Sequence, residues 1–110
     1  MRSLLLLCLL FIVPASARAA QTILVLGDSL SAGYGLAQGE GWVTLLEQRI
    51  RQDKLDYQVV NASISGETTL GGLNRISPAL EEHRPAVVVV ALGANDGLRG
   101  NPLEETRRRP

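Results

Sequence analysis

An unbroken run of ten apolar residues, 4–13, opens the chain, and behind it apolar and polar positions change over in shorter blocks. Three of these blocks, 22–26, 57–62 and 86–92, lead directly into Gly, Ser, Asn or Asp. Runs of that length closed by turn formers predict β-strands. The third holds Val87-Val88-Val89-Val90 with no alternation, the pattern of a parallel strand covered on both faces.

Between the first two strands, Trp42, Leu45, Leu46, Arg49 and Ile50 fall at helical spacing, and between the second and third, Leu70, Leu73, Ile76 and Leu80 do the same. Both stretches predict amphipathic helices. Pro78 interrupts the second, so a kink or early break is expected there, and Pro85 closes it. The order strand, helix, strand, helix, strand implies an α/β fold with a parallel sheet and right-handed crossovers.

The opening run is too short to cross a membrane, which takes about 20 residues, but behind Met1-Arg2 it has the form of a signal-peptide core. Ala17-Arg18-Ala19 fits the cleavage rule, with Ala15-Ser16-Ala17 as a second option, so residues 1–19 are expected to be a signal peptide and 20–110 a single domain portion. Cys8 would leave with the leader. That implies a periplasmic or secreted protein with no stable membrane anchor after cleavage. Across the 110 residues, 11 Lys and Arg balance 11 Asp and Glu, and the lone cysteine excludes a disulfide scaffold. The charge balance also argues against a nucleic-acid partner.

In a parallel sheet the loops leaving the C-terminal strand ends share one rim. Here they carry Gly27-Asp28-Ser29-Leu30-Ser31, then residues 61–68, then Gly93-Ala94-Asn95-Asp96. Ser29 sits at a strand-to-helix turn, where a nucleophile would have free N–H groups and a helix dipole beside it. Gly66 has no side chain to obstruct a substrate, and Asn95 brings an amide, so Ser29, Gly66 and Asn95 form a candidate oxyanion hole that needs no metal. Each has an ordinary alternative: Ser29 as a helix N-cap, Gly66 and Asn95 as turn formers.

Gly27-Asp28-Ser29-Leu30 resembles the G-D-S-L block of the GDSL, or SGNH, hydrolases. Residues 61–66 resemble that family's glycine block, and Gly93-Ala94-Asn95-Asp96 its G-x-N-D block. The surroundings, Leu30-Ser31-Ala32-Gly33-Tyr34-Gly35 and Asn95-Asp96-Gly97-Leu98-Arg99-Gly100, are similar to the bacterial periplasmic branch of arylesterases, acyl-CoA thioesterases and lysophospholipases. The resemblance implies a flavodoxin-like three-layer sandwich of about five parallel strands, of which this chain holds three and ends after the third. It implies Ser29 as catalytic nucleophile and oxyanion donor, Gly66 and Asn95 as the other donors, and Asp28 and Asp96 as loop supports. The substrates implied are small acyl esters, thioesters or lysophospholipids, with no cofactor.

The family's base and its orienting acid come from a D-x-x-H block, and no D-x-x-H occurs in these 110 residues. The single histidine, His83, is expected at the end of the second helix on the edge away from Ser29. Activity near background is therefore expected of the chain as it stands. A non-catalytic acyl or lipid binder, or a decayed remnant, is the alternative. A metal phosphoesterase is disfavoured by the lack of histidine ligands, and nucleotide binding by the absence of a G-x-G-x-x-G or P-loop pattern. Trp42, Leu36 and Leu98 are candidates for an acyl groove or for plain packing. With the order 2-1-3 the valine-rich strand would form an open edge, so poor solubility or loose packing is expected, and residues 107–110 read as a solvated charge cluster.

Overall fold

The computed structural model describes residues 19–109. The expected leader lies outside them, apart from Ala19. The elements are β1 (Gln21–Gly27), α1 (Ser29–Ala32), α2 (Trp42–Gln52), β2 (Tyr57–Asn61), α3 (Thr69–His83), β3 (Val87–Ala91), α4 (Ala94–Leu98) and α5 (Leu103–Arg108). The three strands form one parallel sheet in the order β2-β1-β3. The fold class read from the sequence holds, and the strand limits shift by one residue or so.

β1 is central and paired on both sides, and its middle is the most deeply covered part of the sheet. Leu24, Val25 and Leu26 are at most 1% exposed. Its residue Ile23 pairs with Val59 of β2 and with Val87 of β3, and the register continues without slip to Gly27 and Ala91. The α2 helix contributes Val43 and Ile50, two turns apart on one face. Its last turn carries Arg49 and Arg51, cations placed well against the C-terminal carbonyls.

The α3 helix starts at Thr68, whose hydroxyl accepts from Gly71 N at 3.2 Å, and stops at Arg84 in the left-handed region (φ 42°). It packs closely because Gly72 has no Cβ: one would strike Leu92 and lie 3.7 Å from Leu26. The break expected at Pro78 does not occur, and the helix runs through it to His83. Pro78 removes one N–H that would bond to the carbonyl of Asn74, but both residues are exposed, so water can take the freed acceptor.

Three further expectations need correction. β3 is not covered on both faces: Val87, Val88 and Val90 are 42%, 37% and 47% exposed, β3 being the edge of the sheet among the described residues. The apolar stripe of α3 is likewise only partly used, with Leu70, Leu73 and Leu80 exposed and Ile76 half-buried. On α2, Trp42 and Leu45 are exposed too. Among the described residues, no helix is long and apolar enough to cross a membrane.

Candidate active site

Gly27 ends β1 and Ser29 begins α1 immediately afterwards, so the chain turns sharply at Asp28. Asp28, 3% exposed, is the N-cap: its Oδ1 accepts from Leu30 N at 3.0 Å, and its carbonyl accepts from Ser31 N and Ala32 N. The N-cap alternative for Ser29 is thereby removed. Ser29 is the first helical residue, its N–H has no intrahelical acceptor, and its side chain is left for other work. With only four residues, α1 offers that free N–H rather than a sizeable macrodipole.

The turn is tight enough to require glycine at 27. A Cβ there would lie 2.6 Å from Ser31 Oγ and 3.1 Å from Ser63 Oγ. Ser31 is in turn pinned twice, by Trp42 Nε1 donating to its Oγ (3.1 Å) and by Asn61 Nδ2 donating to its carbonyl (2.8 Å). Asn61 Oδ1 accepts from Ser63 N, and Ile64 N donates to the Gly27 carbonyl at 3.0 Å. The first and second loops are thus joined residue to residue.

Gly66 lies at the tip of the second loop with φ +85°, a conformation that strains any residue bearing a Cβ. Among the described residues its N–H donates to no acceptor. The third loop reaches it from the other side. Asn95 Nδ2 donates to the Glu67 carbonyl (2.9 Å), and Asp96, 1% exposed, accepts from Thr69 N (2.8 Å) and Thr69 Oγ1 (2.6 Å). Thr106 Oγ1 donates to the same carboxylate at 3.1 Å, and Arg109 Nη1 stands 3.5 Å away.

Burial by itself would raise the Asp96 carboxyl. The hydrogen bonds from the Thr69 hydroxyl and amide and from Thr106, with the Arg109 charge, outweigh it and hold Asp96 below the usual carboxylate value. Arg109 is therefore tucked against this centre, with a side chain 17% exposed, and is not part of a solvated cluster as Arg107 is.

His83 closes α3 at the edge where β3 begins, opposite the rim, with Nε2 3.7 Å from Glu82 Oε2. It stands where the topology put it and does not meet Ser29. Among the described residues, no three His, Cys, Asp or Glu side chains gather as metal ligands. A cleft of about 420 Å³ opens beside the first loop, lined by Leu30, Trp42, Val90 and Leu92 among others. Trp42 thus borders apolar space, whereas Leu36 lines a smaller cleft and Leu98 is 85% exposed. Sequence reading missed the tying roles of Asn61, Thr69 and Arg99. The spacing of Asn95 and Arg99, four apart and hence on one helical face, was the available signal.

The sheet order and the three laced loops define a doubly wound parallel α/β unit with its polar residues on the carboxyl rim. Residues 25–109 match the GDSL-like Lipase/Acylhydrolase family, and the chain belongs to it. It is 54% identical over 101 residues to the esterase TesA of Pseudomonas aeruginosa, covering 91% of this chain and 50% of that protein. To the thioesterase 1/protease 1/lysophospholipase L1 of Escherichia coli K12 it is 47% identical over 92 residues, or 84% of this chain and 43% of that one. The crystal structure of AlinE4, an SGNH-hydrolase family esterase, superposes with a TM-score of 0.74 at 41% identity, over 82% of this chain and 49% of the other. The chain spans about half the length of the curated relatives it matches.

Proposed function

We propose that this chain carries the nucleophile and oxyanion donors of a serine hydrolase for acyl esters or thioesters. The observation that supports it most is the pairing of two unengaged amides: the N–H groups of Ser29 and Gly66 lie in loops tied together through Asn61 and Ile64, and both lack an acceptor. Ser29 Oγ attacks the acyl carbonyl carbon, and its proton passes to a base. The tetrahedral oxyanion takes hydrogen bonds from Ser29 N, Gly66 N and Asn95 Nδ2. Collapse expels the alcohol or thiol with a proton, and water then releases the acid from the acyl-serine. The apolar cleft at Trp42 and Leu30 gives an acyl chain room beside the nucleophile.

The base in this reading is the histidine of a D-x-x-H segment that the 110 residues do not contain, since His83 lies on the far edge. The apolar leader supports export, and hence a periplasmic or secreted site of action on small acyl substrates. The test is to add, as a separate polypeptide, the half of the Pseudomonas aeruginosa esterase that this chain does not match. Hydrolysis of a short p-nitrophenyl ester is expected to rise about 10²–10⁴-fold over either part alone, as a general base contributes, and to vanish with Ser29→Ala. Parts that co-elute without gaining Ser29-dependent activity would overturn the reading.

A further inference from the structure

We propose that Arg99 is a positioning residue that fixes the Gly66 peptide, and with it the direction of the Gly66 N–H. The inference rests on the oxyanion role of Gly66 given above. Arg99 Nη2 donates to the Gly66 carbonyl at 3.1 Å, and the same guanidinium would lie 3.8 Å from a Cβ at position 66. One turn earlier, Asn95 Nδ2 donates to the next carbonyl, that of Glu67. Two side chains four residues apart therefore hold two consecutive carbonyls of the donor loop.

Arg99 is itself anchored for this, because its backbone N–H donates to the Asn95 and Gly97 carbonyls and closes α4. The carbonyl and amide of Gly66 flank one Cα. Glycine there is free to take alternative φ and ψ, so holding the carbonyl removes the freedom that would let the amide swing from its line. A hydrogen bond from a cation to a carbonyl is stronger than a neutral one. It restrains the loop without occupying the N–H needed for the oxyanion.

The test compares Arg99→Ala with Arg99→Lys in the full chain at low micromolar concentration. Hydrogen exchange by mass spectrometry reads the amides of Glu67 and Thr69, which donate to the Ile64 carbonyl and Asp96, against β1 as internal reference. Arg99→Ala is expected to speed exchange in 65–69 about three- to tenfold, the scale of one exposed charged hydrogen bond. β1 should stay unchanged, and Arg99→Lys should restore much of the protection. In parallel, with the unmatched half of the Pseudomonas aeruginosa esterase added to supply the base, the rate at which a fluorophosphonate labels Ser29 should fall by a similar factor in Arg99→Ala and recover in Arg99→Lys. Unchanged exchange in 65–69, or equal loss in both variants, overturns the proposal. If the wild-type chain takes no label even with that half bound while the exchange contrast holds, it is the hydrolase reading that fails and the positioning role of Arg99 that stands.

Discussion

Thr69 gives both of its polar hydrogens to one carboxylate, its amide 2.8 Å from Asp96 Oδ1 and its hydroxyl 2.6 Å from Oδ2. This joint fastens the start of α3 to α4 where water scarcely reaches. Asp96→Ala would leave buried donors of Thr69 unsatisfied and is expected to destabilise the chain by about 2–3 kcal/mol. Asp96→Asn keeps one acceptor and should lose less. Urea unfolding midpoints check both, and equal stability of Asp96→Ala and wild type would refute the joint.

The same carboxylate predicts an acid response. Its folded pKa lies below the ordinary value of 3.8, so the stability it contributes is complete above that value and drains as pH falls through the lower, folded one. Wild-type stability should therefore drop more steeply than that of Asp96→Asn on going from about pH 5 to about pH 2. Parallel pH profiles for the two proteins would contradict the assignment.

Neighbouring residues in the first loop should separate stability from chemistry. Asp28→Ala removes the cap of α1 and is expected to lose about 1 kcal/mol. Ser29→Ala removes no cap and should stay within about 0.5 kcal/mol of wild type while abolishing the fluorophosphonate labelling expected once the unmatched half of the Pseudomonas aeruginosa esterase supplies the base. Thermal melts beside labelling assays decide it, and labelling that survives Ser29→Ala would place the nucleophile elsewhere.

Much of this was legible in the chain. The strands and the two long helices follow from apolar runs and their spacing, and the placing of Ser29, Gly66 and Asn95 on one rim follows from their lying in the loops that leave the strand ends. Helices α4 and α5, five and six residues long, are too short for periodicity to register. Pro78 misled because a local rule assumes that the freed carbonyl is buried, and here it is exposed. Side-chain ties across loops, such as Asn61 to Ser31 and Arg99 to Gly66, depend on register between distant segments, which no local pattern encodes. The valine run suggested burial because composition reports what a strand tolerates and not what lies next to it.

That run carries a further prediction. Val88 and Val90 are exposed on an edge strand, a template for pairing with another chain. Val88→Lys with Val90→Lys should lower self-association in sedimentation velocity, with β1 and α2 still protected in hydrogen exchange. A wild-type chain that sediments as a monomer at tens of micromolar would remove the premise.

Placing the first strand at the centre of the sheet also sets a timetable. Ile23 and Val87, partners across β1 and β3, are 64 residues apart in the chain, so one flank of β1 stays unpaired until Val87 and the residues after it have been made. Contacts of such long sequence separation close slowly. A chain emerging from the ribosome therefore keeps β1 open on one side for that long, and the slowest pairing of the sheet is the arrival of β3 beside a strand made 64 residues earlier.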